Sequence, residues 1–170
     1  MEQPILLITN KKEETFLREK TVPFNFAAHS FKETQELVKS MRETMKKADG
    51  VGLSANQIGL TYRMFVAQVH DSQGQMKFYA IFNPEILKQS KESEMIDEGC
   101  LSVPLKFGPV ERHYRVTLTG FDMRGKKLKI NAWGLLARVF QHEVDHLNGK
   151  LFVDKAKLLH DVKETQNTAS

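Results

Sequence analysis

Two histidines four residues apart, with a glutamate directly after the first, make His142-Glu143-Val144-Asp145-His146 the segment of this sequence best equipped for chemistry. On a helix, positions i and i+4 share a face, so both imidazoles can reach one ion. Glu143, one residue further round, can meet a water beside that ion without binding the ion itself. Such a constellation hydrolyses amides or esters: the ion lowers the pKa of a water toward ~7, and the carboxylate takes its proton. The residues just before it, Leu135, Leu136, Val139 and Phe140, are apolar. They argue for burial, where imidazoles and a carboxylate are costly without partners. The competing possibility is a helix end whose polar groups are simply solvated. Asp145 points off the shared face and is expected to support the site through hydrogen bonds.

Two imidazoles leave a catalytic site one protein ligand short. Downstream the chain offers His160, Asp154, Asp161 and Glu164 in a polar tail. Upstream, Glu98-Gly99-Cys100-Leu101-Ser102 carries the single cysteine of the chain. A lone cysteine is more often a small buried hydrophobe than a ligand, so spacing alone leaves the third ligand open. A thiolate there would make a softer site than a carboxylate. One cysteine also excludes an internal disulfide and fits a reducing compartment.

The elements that must position these residues are legible in outline. The helix carrying the histidines is expected over residues 135–147, stopped by Asn148-Gly149. An earlier helix opens at the capping box Ser30-Phe31-Lys32-Glu33 and buries Leu37, Val38, Met41, Met45 and Ala48. It ends at Asp49-Gly50. Residues 50–59, small, polar and rich in glycine, read as a loop. Strands are expected over 62–69 and 77–82, joined by a turn at 71–74 and ended by Asn83-Pro84. A hairpin of 110–121 with 127–132 turns at 122–125. Residues 88–97 are mostly polar. The class that follows is α+β: antiparallel sheets and hairpins around a central helix that carries the histidines. Residues 1–160 should form one domain, with 161–170 a flexible tail fraying beyond Val162.

The 170 residues, 41% hydrophobic and 27% charged, fit one globular domain. No apolar run approaches the ~20 residues of a membrane helix, and Ile5-Leu6-Leu7-Ile8 is too short for a secretory signal core. A location in the cytoplasm is expected. The net charge is +4, with seven basic residues against Glu111 and Asp122 between positions 101 and 130. A solvated hairpin accounts for them better than RNA or DNA, because aromatics do not interleave with the charges.

Three segments together resemble the peptide deformylase family in order and spacing. They are Gly50-Val51-Gly52-Leu53-Ser54-Ala55-Asn56-Gln57, Glu98-Gly99-Cys100-Leu101-Ser102 and Gln141-His142-Glu143-Val144-Asp145-His146-Leu147. The likeness runs from about residue 5 to 154. It implies removal of the formyl group from the N-terminal formyl-methionine of nascent chains. It assigns Cys100, His142 and His146 to the metal and Glu143 to proton transfer. It places the Gln57 amide and the Leu101 backbone N–H on the oxyanion. It implies iron(II) as the natural ion, with zinc, nickel or cobalt able to replace it. The formyl-Met peptide would pair with backbone at Val51, Gly52 and Gly99, its side chain entering a slot of Ile96, Leu135 and Val139 with Arg138 at the edge. Glu98 would pair with Arg112 behind the Cys100 loop. Two departures are visible. Ser54 stands where the family most often has alanine, and the tail is short where many bacterial members carry a basic helix that docks on the ribosome. A monomer acting on free or nascent peptides is therefore expected, with ribosome docking through the tail in doubt. An endopeptidase with a different third ligand, or an RNA-binding module with a four-ligand structural metal, would be the alternatives.

Overall fold

The computed structural model describes residues 3–71 and 73–161. Its helices are α1 (Lys11–Leu17), α2 (Phe31–Lys47) and α3 (Gly134–Leu147). The strands are β1 (Gly52–Ser54), β2 (Met64–His70), β3 (Met76–Gln89), β4 (Ser93–Cys100), β5 (Val103–His113), β6 (Arg115–Phe121), β7 (Lys127–Trp133) and β8 (His160–Asp161). One sheet has the order β1-β2-β3-β6-β7 and the other β4-β5-β8, with every neighbouring pair antiparallel.

The run Met64-Phe65-Val66-Ala67 shows how the larger sheet is held. Side chains of a strand alternate between faces. Phe65, Ala67 and Val69 enter one core with Ala137, Phe140, Val144 and Leu147 of α3. Met64 and Val66 enter another with Val38, Met41 and Met45 of α2. The sheet is thus covered on both faces there, which is why Met64 to Ala67 read as continuously apolar. The expected α+β architecture holds, with α3 packed between the larger sheet and β5. The capping box at α2 forms as expected, Ser30 N–H donating to Glu33 Oε2 at 2.7 Å and Glu33 N–H to Ser30 Oγ at 3.2 Å. Helix α1 has no counterpart in the expectations; Asn10 Oδ1 caps it by accepting from Lys12 and Glu13 N–H.

Several boundaries differ from expectation. Residues 50–59 are not a loop: they form β1 and a 3-10 turn (Ala55–Ile58), with positions 53 to 58 all buried. Buried backbone must pair its N–H and C=O groups, and small side chains let it do so against α3. Asn83-Pro84 does not end β3. Pro84 sits at a register shift between Phe82 and Glu85, where its missing N–H costs no ladder bond. Asn83, at φ 49°, binds the backbone of Phe24 with both side-chain atoms. Residues 110–121 are not one strand. The chain changes sheets at Tyr114, so the hairpin is β6–β7 alone and β5 belongs with β4. The polar residues 88–97 divide between the ends of β3 and β4. Asp161, assigned to the tail, pairs with Lys106 in β8; residues 162–170 lie outside the described residues.

No helix among the described residues is long and apolar enough to cross a membrane.

Candidate metal centre and its cleft

Three elements converge on one point. Helix α3 brings His142, Glu143 and His146; the end of β4 brings Glu98, Gly99 and Cys100; β1 and its 3-10 turn bring Gly52, Ser54 and Gln57. The coordinating atoms of Cys100, His142 and His146 all lie within 4.8 Å of one another. Cys100 Sγ is 3.2 Å from His146 Nε2, which is 3.2 Å from His142 Nε2. Ligands about 2.0–2.3 Å from a tetrahedral ion stand roughly 3.3–3.7 Å apart, so two of the three pairs already stand near the spacing that a small divalent cation requires. The donor set supports the same conclusion. His142 Nδ1 lies 3.0 Å from Glu98 Oε2, the carboxylate backing that fixes a metal-binding imidazole.

Electrostatics sort the two imidazoles. Burial disfavours a charge on His142, but Cys100 and Glu98 outweigh it and its pKa is pushed up to about 10. Burial and the charge of His142 push His146 well down. Burial raises Glu143, against the opposing pull of His142 and the Ser54 hydrogen bond. A carboxylic acid with a raised pKa is a better proton acceptor for chemistry near neutrality.

Glu98 is the hub behind the ligands. Arg112 grips it with two bonds, Nε to Oε1 at 2.8 Å and Nη2 to Oε2 at 2.9 Å, and Arg138 Nη1 adds a third to Oε1 at 2.8 Å. Arg112 Nη1 also pairs with Asp145, which Lys155 reaches at 2.6 Å. Asp145 therefore stands off the histidine face as a support, as its position on the helix implied.

In front of the ligands lies a mainly apolar cleft of about 530 Å³. Of the residues expected in the site, all line it except Ile96, Arg112 and His146. Arg112 and His146 are buried behind the surface. Ile96 is a correction: it is 48% exposed and outside the cleft, while its neighbours Asp97 and Glu98 line it. Leu135 and Val139 line the cleft. Arg138 lines the cleft too, but its guanidinium is engaged by Glu98 and by the carbonyls of Val110 and Glu94. Gln57 Nε2 donates to Ser102 Oγ at 3.1 Å and lies 3.6 Å from Cys100 Sγ, its own oxygen held by Ser54 N–H at 2.9 Å.

Sequence reasoning missed Leu105 and Phe107, which also line the cleft. Phe107 explains Gly99: a Cβ there would come within 2.6 Å of its ring. Ser54, notable in the sequence only as a departure from the family's alanine, touches Glu143 with its hydroxyl. A serine facing a helix across a strand pairing that sequence does not reveal left no earlier trace.

A carboxylate facing a cleft beside a Cys-His-His set, on an antiparallel α+β frame, defines a metal-dependent hydrolase. The model of the polypeptide deformylase family matches residues 4–162. The peptide deformylase of Halothermothrix orenii is 43% identical over 152 residues, 89% of this chain and 94% of the relative. The crystal structure of peptide deformylase from Thermotoga maritima aligns with a TM-score of 0.82 at 35% identity, covering 93% of this chain and 99% of that one. A Met-Ala-Ser-bound class I type b peptide deformylase from Acinetobacter baumannii aligns with a TM-score of 0.82 at 31% identity, covering 91% and 98%. The chain belongs to the peptide deformylase family. It removes the N-formyl group from formyl-methionine at the start of newly made polypeptides, releasing formate.

Proposed function

We propose that deformylation here runs on Glu143 as proton carrier, with Cys100, His142 and His146 holding iron(II), a site that zinc, nickel or cobalt can also fill. The observation that carries this is the convergence of the three ligand atoms beside Glu143 in one cleft. When bound, the ion supplies a Lewis acid that makes water nucleophilic near neutral pH. Glu143 accepts a proton from the water as its oxygen adds to the formyl carbon. The Gln57 amide and the Leu101 N–H face the oxygen that becomes negative, where one donor is worth about 3 kcal/mol. Glu143 then delivers the proton to the amine nitrogen as the C–N bond breaks, leaving formate and a free N-terminus.

The substrate backbone runs beside Val51, Gly52 and Gly99, adding itself as a strand. The methionine side chain takes the wall of Leu135 and Val139, with Phe107 rather than Ile96 completing it. A product-like Met-Ala-Ser peptide bound to the Acinetobacter baumannii relative supports this choice of ligand. Glu98 and Arg112 hold the Cys100 loop against α3. Residues 1–160 act as one catalytic unit, as a monomer in the cytoplasm.

Formate release from a formyl-Met peptide, assayed anaerobically with bound metal measured in parallel, tests the assignment. Glu143→Ala should keep its metal and lose formate release by a factor of at least about 10². Full activity in that variant would overturn the role of Glu143.

A further inference from the structure

Ser54 has no exposed surface. Its hydroxyl lies 2.7 Å from Glu143 Oε2 and 3.1 Å from the Glu143 carbonyl oxygen. A hydroxyl has one proton to give, and the nearer carboxylate oxygen is the stronger acceptor. Among the described residues, nothing else hydrogen-bonds either carboxylate oxygen of Glu143.

The other oxygen has a different neighbour. Glu143 Oε1 sits against Gly52, where a Cβ would come within 2.3 Å. Gly52 and Ser54 are alternate residues of β1 and so share a face. Leu53, between them, enters the core beneath α2. One face of β1 therefore treats the two oxygens differently, gripping Oε2 and leaving room for Oε1, which is beside the cleft that Gly52 and Glu143 both line. The last torsion of a glutamate is broad and nearly two-fold. Without a fixed donor, its oxygens have no set direction.

We infer that Ser54 is a positioning residue for deformylation, its hydroxyl holding Glu143 Oε2 so that Oε1 is the oxygen that meets the attacking water. The backbone N–H of Ser54 holds Gln57 Oε1, and that bond survives replacement of the side chain. Ser54→Ala thus isolates the Glu143 contact. The inference rests on Glu143 as proton carrier, which the separate Glu143→Ala assay tests.

The measurement is steady-state deformylation by the iron(II)-loaded enzyme under anaerobic conditions. It compares wild type, Ser54→Ala, Glu143→Asp and the double variant, with metal content and melting temperature of each. Ser54→Ala should lower kcat about tenfold, a part of what a well-placed proton carrier supplies, with KM, metal content and melting temperature unchanged. Glu143→Asp withdraws the carboxylate from the hydroxyl, so adding Ser54→Ala to it should change kcat less than about twofold. An unchanged kcat in Ser54→Ala would overturn the inference. So would a tenfold loss on both backgrounds, or a loss that comes with a matching change in KM, metal content or melting temperature.

Discussion

Glu98 is the residue on which the site's electrostatics turn. It is 6% exposed and receives hydrogen bonds from Arg112 and Arg138 and contact from His142. Burial alone would raise its pKa, but the bonds from Arg112 and His142 outweigh it and hold the carboxyl far below the ordinary carboxylate range. A folded-state pKa below the unfolded value of 4.5 stabilises the fold above that value. The contribution is lost as pH falls below it. Urea unfolding at neutral pH and again near pH 3.5 should therefore show a marked acid loss in wild type that is smaller in Glu98→Gln. At neutral pH, Arg112→Ala should cost up to about 3–5 kcal/mol, because it removes the common partner of Glu98 and half-buried Asp145 and leaves them only Arg138, His142 and Lys155. Equal acid sensitivity in wild type and Glu98→Gln would show that other carboxylates control acid unfolding.

Two glycines show how elements are placed for different ends. Gly52 in β1 makes room for the end of a side chain, Glu143 Oε1. Gly52→Ala can be accommodated by moving that carboxylate. It should leave the melting temperature nearly unchanged and reduce kcat by about tenfold or more. Gly149, after α3, is at φ +72°, and a Cβ there would lie 2.1 Å from the backbone oxygen of Arg18. Nothing flexible can yield, so Gly149→Ala should cost more than the roughly 1–3 kcal/mol of backbone strain alone, read as a lower melting temperature. A stable Gly149→Ala protein would mean that the α3 end and the α1 end separate freely. What the sequence disclosed divides along the same lines. Helix α3 and its His142, Glu143 and His146 were legible because spacing and apolar face are local properties. Cys100 was not: spacing alone leaves it a core residue and only the resemblance assigns it to the metal, since only the fold brings β4 beside α3. The change of sheet at Tyr114 was also hidden, because Tyr114, Val116 and Leu118 keep one alternation across it. Residues 50–59 looked like a loop because their burial is conferred by α3, far along the chain.

At the scale of the molecule, the proposed metal ligands come from two separate parts of the chain. Cys100 closes β4, which pairs with β5 in the smaller sheet, while His142 and His146 sit on α3, whose other side is embedded in the core of the larger sheet. An ion bound by all three ties the two sheets through the helix between them. A ligand that binds only the folded state stabilises it by RT ln(1 + [L]/Kd), about 2.7 kcal/mol at a hundredfold excess over Kd and about 4.1 at a thousandfold. For a chain of this size each kcal/mol moves the melting temperature by about 2–4 °C. Removing the metal with a chelator should therefore lower the melting temperature by about 5–15 °C, and adding iron(II) or nickel(II) anaerobically should restore it. Because α3 belongs to the main core and faces both sheets, unfolding should remain a single transition with and without metal, so the ion shifts the whole curve instead of melting a local flap. Cys100→Ser provides the control: with its strongest link to the smaller sheet weakened, it should gain much less from the same metal. Equal metal-dependent shifts in Cys100→Ser and wild type would remove Cys100 from the ligand set and leave the two sheets joined by packing alone.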